Sequence, residues 1–146
     1  MEDKKYQTFQ LIFPGTKWCG TGNVAENYED LGTSYETDMC CRDHDLCDDI
    51  IESGETNHNL TNNDFYTKLN CKCDEKFYDC LKSSHMKSAK AVGTIYFNVL
   101  GTQCYREDYP IVKCIKYHGI IKKRCVEYEL DESQPKVYEW FDVPPF

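Results

Sequence analysis

His44 stands between two carboxylates and among cysteines, in Cys40-Cys41-Arg42-Asp43-His44-Asp45-Leu46-Cys47. A neutral imidazole can take a proton from water when its second nitrogen donates to an acceptor that fixes the tautomer. A neighbouring carboxylate is free for another task, such as holding a hard cation. A second segment, Cys71-Lys72-Cys73-Asp74-Glu75-Lys76-Phe77-Tyr78-Asp79-Cys80, repeats the mixture of cysteine and carboxylate. Acid–base chemistry in a disulfide-clamped site is the reaction class these residues suggest.

Those side chains need elements that hold them. Cys40 and Cys47 are seven residues apart, as are Cys73 and Cys80, close to two helical turns, so each pair would lie along one face of its helix. Antiparallel helices would join Cys40 to Cys80 and Cys47 to Cys73. A parallel arrangement would join Cys40 to Cys73, and a helical hairpin is the simpler route. The antiparallel clamp places His44 midway between its rungs, with Asp74 within about half a turn of its level on the facing helix. Asp74 is then the candidate acceptor for His44. Asp45 points about 100° away around its helix. The plainer alternative makes His44, Asp45 and Asp74 polar helix positions with no joint role.

A third element is Trp18-Cys19-Gly20-Thr21-Gly22. In an extended loop alternate carbonyls face one side, so those of Trp18, Gly20 and Gly22 could converge on a cation, with Cys19 tying the loop to the helix of Asp45. Three carbonyls, a bidentate Asp45 and two waters would give calcium a shell of about seven oxygens. Two rival motifs fail. Thr21 follows Gly20 where a P-loop needs lysine, and the acidic run after Asp43 lacks the third ligand and glycine of an EF-hand.

The chain's 146 residues suit one domain. Its ten cysteines imply disulfides and an oxidising, secretory compartment. Zinc fits poorly, because Cys71-Lys72-Cys73 is C-x-C and no second pair has zinc-ribbon spacing. No stretch is long and apolar enough to span a bilayer. The opening residues lack the apolar core of a signal peptide, so secretion would require a leader removed ahead of Met1. Asn59-Leu60-Thr61 is an N-glycosylation sequon. The net charge of -8 argues against nucleic acid as a partner. Residues 82–124 nevertheless hold 9 bases and 2 acids, which could face anionic lipid or form a solvated hairpin.

The expected fold class is α+β, small and disulfide-rich. Two long antiparallel helices are clamped by disulfides, with an N-terminal calcium loop and a C-terminal β-hairpin region. Residues 1–36 read mostly as loop. Thr37 would cap a helix from about Asp38 to Glu52 that stops near Gly54. Phe65, Leu69, Cys73, Phe77, Cys80 and Leu81 recur at spacings of three and four, predicting a helix over Asn62–Ser83. Gly93–Leu100 reads as a strand or short helix. Residues 109–130 predict a hairpin turning near His118-Gly119, with Cys114 and Cys125 placed to bridge it. Lys136–Phe141 reads as a last short strand. Residues 1–10 read as an N-terminal extension and 11–146 as a single domain.

With these motifs in place, the sequence resembles the secreted phospholipases A2, and more closely their group III, or bee-venom, type. The resemblance is carried by Phe13-Pro14-Gly15-Thr16-Lys17-Trp18-Cys19-Gly20-Thr21-Gly22, Cys40–Asp45, Gly54-Glu55, Leu60-Thr61-Asn62, Lys76–Lys82, Tyr96-Phe97-Asn98 and Pro135–Asp142, from about Leu11 to Asp142. It implies calcium-dependent hydrolysis of the sn-2 ester of glycerophospholipids by a secreted monomer acting at a membrane or micelle surface. His44 would be the general base, Asp74 its orienting partner, and Tyr96 a hydrogen-bond partner of that aspartate. Trp18, Gly20, Gly22 and Asp45 would hold calcium, and the Gly20 N–H would serve as an oxyanion donor. The implied bridges are Cys19–Cys41, Cys40–Cys80, Cys47–Cys73, Cys71–Cys104 and Cys114–Cys125.

The chain departs from that pattern in its acidity, in polar Lys87 and Lys90 after the second helix, and in a long Ile115–Lys123 stretch. Leu11, Ile12 and Phe13 could supply part of an apolar docking rim. The rival class is a phospholipase-like toxin or receptor-binding protein on the same scaffold. Loss of His44 or Asp45 would have signalled it, and both are present.

Overall fold

A computed structural model describes residues 11–120 and 123–146; the N-terminal extension expected over residues 1–10 lies outside them. The chain packs as two compact units. One runs to Leu46 and takes in Lys76–Gly93; the other comprises Cys47–Glu75 and Thr94–Phe146.

The first unit is built on helix α1, Tyr35–Asp45. It begins earlier than Thr37, with Ser34 at the N-cap position and no side-chain cap. It also ends earlier than Glu52. Leu46 closes it, donating its N–H to the Arg42 carbonyl, and the chain then extends into strand β1, Ile50–Ile51. Two adjacent isoleucines favour a strand, and Gly54 (φ 83°) serves a turn in which the Glu55 N–H donates to the Glu52 carbonyl. Trp18, Cys19, Cys40, Cys41, Phe77, Leu81, Ala89 and Val92 are the unit's buried apolar side chains among the described residues.

Helix α2 spans Cys71–Ser83, shorter than predicted. Phe65 is 92% exposed and belongs to no helix. The missed signal is Asn70, whose Oδ1 accepts the Lys72 N–H at 3.0 Å and starts the helix there. Neither helix reaches the length expected, at 11 and 13 residues. Helix α3, Lys87–Gly93, is followed by a π-helical segment, Thr94–Leu100, where a strand or short helix was predicted.

Among the described residues, the second unit holds four two-stranded antiparallel sheets. Strand β1 pairs with β4, Lys68–Leu69. Strands β2, Thr56–Asn57, and β3, Leu60–Thr61, form a tight hairpin. Strand β5, Gln103–Asp108, pairs along its length with β8, Val137–Asp142. Strands β6, Ile111–His118, and β7, Arg124–Leu130, form the predicted long hairpin, with register shifts near Lys113 and Lys116. Ile51, Phe97, Tyr105, Phe141 and Val143 fill the interior of this unit.

All ten cysteines are paired as Cys19–Cys41, Cys40–Cys80, Cys47–Cys73, Cys71–Cys104 and Cys114–Cys125. Both predicted rungs form, and so does the hairpin bridge. Cys47 lies just beyond the end of α1, however, so its rung ties down the segment leaving that helix.

Candidate active site

The glycine loop is held by backbone pairing. Ile12 and Gly20 form an antiparallel bridge, in which the Phe13 N–H donates to the Cys19 carbonyl (2.7 Å) and the Thr21 N–H to the Leu11 carbonyl (3.1 Å). Gly20 has φ 150°, and a Cβ there would lie 1.9 Å from the Leu11 carbonyl oxygen. Only glycine fits that approach. Gly22, at φ 89°, also occupies backbone space that favours glycine.

Asp38 secures the loop to α1. Its buried carboxylate accepts the N–H groups of Lys17 (2.9 Å), Trp18 (2.8 Å) and Gly32 (2.8 Å). The Cys19–Cys41 bridge adds a covalent tie. In the sequence Asp38 reads as a helix-dipole residue, and its anchoring role went unforeseen. No spacing in the sequence signals that role, because the three N–H groups come from other segments.

His44 and Asp45 close α1. The imidazole of His44 is half-buried and stacked on Phe77, with ring centroids 4.1 Å apart and planes 19° from parallel. Phe77 is itself buried, so the stack fixes the tilt of the imidazole. Asp45 is exposed as a residue, but the protein atoms near its carboxyl remove enough water to raise its pKa. That desolvation, with the charge of Asp38 second, pushes Asp45 up to about 8.

In the second unit, Asp74 is buried in the first turn of α2. The hydroxyl of Tyr96, from the π-helical segment, donates to Asp74 Oδ1 at 2.7 Å. Thr102 Oγ1 donates in turn to the Tyr96 oxygen at 3.3 Å. Desolvation first, and the charge of Asp74 next, raise the Tyr96 pKa well above its ordinary value. Tyr96 therefore stays a donor. The structure thus forms the Tyr96–Asp74 pair and brings the glycine loop onto the helix that carries His44 and Asp45.

A family model described as phospholipase A2 matches residues 12–108. The chain belongs to the phospholipase A2 family. Its relatives include phospholipases A2 of bees. That of Xylocopa appendiculata circumvolans is 57% identical over 92% of this chain and 73% of the relative. That of Bombus pensylvanicus is 54% identical over 91% and 98%, respectively. The Apis mellifera enzyme is 46% identical over 92% and 79%. These similarities place the chain with the group III, bee-venom type of phospholipase A2. As a phospholipase A2 it is an ester hydrolase, and among its described residues no helix is long and apolar enough to cross a membrane.

Proposed function

We propose that residues 11–146 act as one domain that hydrolyses the sn-2 ester of glycerophospholipids, releasing a fatty acid and a lysophospholipid. In this reading His44 takes a proton from the attacking water and later returns it to the leaving alkoxide. Asp74 accepts from the other imidazole nitrogen and holds the tautomer, and Tyr96 keeps Asp74 in place. No acyl-enzyme forms, because water attacks directly.

Asp45 and the carbonyls of Trp18, Gly20 and Gly22 would hold calcium. Bound there, calcium supplies positive charge for the substrate phosphate and for the oxyanion developing on the ester carbonyl. The chain's own residues suit such an ion. The desolvated Asp45 carboxyl gains from a cation beside it, and the Cys19 carbonyl is already engaged by Phe13. In this reading the Trp18 and Gly20 carbonyls face the side away from that bond. The Gly20 N–H would donate to the oxyanion.

The observation that carries this reading is the placement of a ring-stacked His44 next to Asp45 at the end of the helix that Asp38 joins to the glycine loop. Exposed Leu11 offers one apolar contact for a phospholipid surface or micelle. The enzyme would work there as a secreted, peripheral monomer, in keeping with its five disulfides. Fatty-acid release from mixed phospholipid vesicles, with calcium or a chelator, tests the proposal. Hydrolysis unaffected by the chelator, or none from the folded protein, would reject it.

A further inference from the structure

We propose that Asn59 carries an N-linked oligosaccharide, added as the chain enters the secretory pathway. This rests on the secretory reading above.

The hairpin that presents Asn59 has an unusual composition. The pairing of Thr56 with Thr61 and Asn57 with Leu60 leaves a two-residue loop, His58-Asn59. Both residues have positive φ, 53° and 64°, the conformation of a type I′ turn. The second position of that turn favours glycine, which adopts such angles without steric cost. Asparagine tolerates them less well. What asparagine adds is the acceptor amide of Asn59-Leu60-Thr61.

The surroundings leave that amide available. His58 is fixed, with its Nε2 3.0 Å from Asp49 Oδ1 and its ring stacked on Tyr138 at 3.9 Å. Asn59 is exposed and forms no side-chain hydrogen bond among the described residues. Thr61 is exposed as well, with its hydroxyl 2.8 Å from that of Thr56. Beside Asn59, the surface opens into a cleft of about 480 Å³ bordered by Glu107, Lys136 and Tyr138. That space adjoins the acceptor amide. The five disulfides form in the same oxidising compartment that attaches such glycans.

The donor is a lipid-diphosphate-linked oligosaccharide. A bond forms from Asn59 Nδ2 to the anomeric carbon of the first sugar, and the bond from that carbon to the diphosphate oxygen breaks. One amide proton is lost, and the lipid diphosphate departs.

The test is secretion of the wild type, Asn59→Gly and Thr61→Ala from eukaryotic cells, followed by mass spectrometry of intact protein and of the peptide containing residue 59. The wild-type peptide should carry hexosamine-based glycan, and both variants should lose that mass completely. Asn59→Gly suits the turn, so it should keep or raise the melting temperature and serves as the folding control. Disulfide-bonded wild type recovered from the medium with Asn59 unmodified would overturn the proposal while leaving the secretory reading standing. Glycan persisting in Thr61→Ala would overturn it too.

Discussion

Asp38 and Asp45 lie two turns apart on α1, and the negative charge of the first adds to desolvation in keeping the second protonated up to about pH 8. The residue that secures the glycine loop therefore also raises the affinity of the site for positive charge. On the proposed reading, a proton fills that role until calcium displaces it.

The first prediction concerns pH. The folded pKa of Asp45 is raised, so the metal-free protein binds a proton that the unfolded chain has released. This contribution to stability is fully present below the ordinary value of 3.8 and is lost as pH rises through about 8. Melting temperature in chelator should fall across that window, and calcium should restore it. Calorimetry at neutral pH in two buffers of different ionisation enthalpy should show release of about one proton on calcium binding. Calcium uptake without proton release would contradict the protonated Asp45.

His44 and Asp45 should separate by function. His44→Gln should lower turnover by about 10²- to 10⁴-fold, the range for removal of a general base, while calcium affinity stays unchanged. Asp45→Asn should weaken calcium binding and turnover together. Equal calcium affinity in wild type and Asp45→Asn would remove that residue from the ligand set.

Tyr96→Phe deletes the hydroxyl that donates to Asp74 at 2.7 Å. A hydrogen bond to a charged, buried acceptor contributes about 1.5–3 kcal/mol. Urea unfolding should show a loss of that order. Under the proposed mechanism, turnover should fall with little change in KM.

Phe77 supports the imidazole of His44 from one face. Phe77→Ala should cost about 3–5 kcal/mol, because it opens a cavity. Phe77→Leu keeps much of the volume but loses the flat ring surface. It should remain folded, with a lower kcat and a nearly constant KM. Unchanged kcat in Phe77→Leu would show that the stack does not position the base.

Much of this architecture was legible in the sequence because disulfides and helices impose fixed spacings. The matched seven-residue intervals led to Cys40–Cys80 and Cys47–Cys73, and the turn expected near His118-Gly119 led to the β6–β7 hairpin. Helix ends were less legible. Asn70 starts α2 through a local hydrogen bond that the helical period of Phe65 and Leu69 concealed. Ile50 and Ile51 leave α1 for pairing with Leu69 and Lys68, a contact distant in sequence. The chemistry-bearing residues stood out by type, whereas Asp38 did not. Its importance lies in three backbone N–H groups from other segments, which no spacing announces.

The Cys114–Cys125 bridge gives the long hairpin freedom to vary. Residues between the two cysteines can be added, removed or even cut by a protease while both ends stay covalently joined. The stretch from Gly119 to Lys123 can therefore diverge in length and composition without shifting the strands that carry it. In this scaffold the bridge makes the hairpin tip an outlet for evolutionary change.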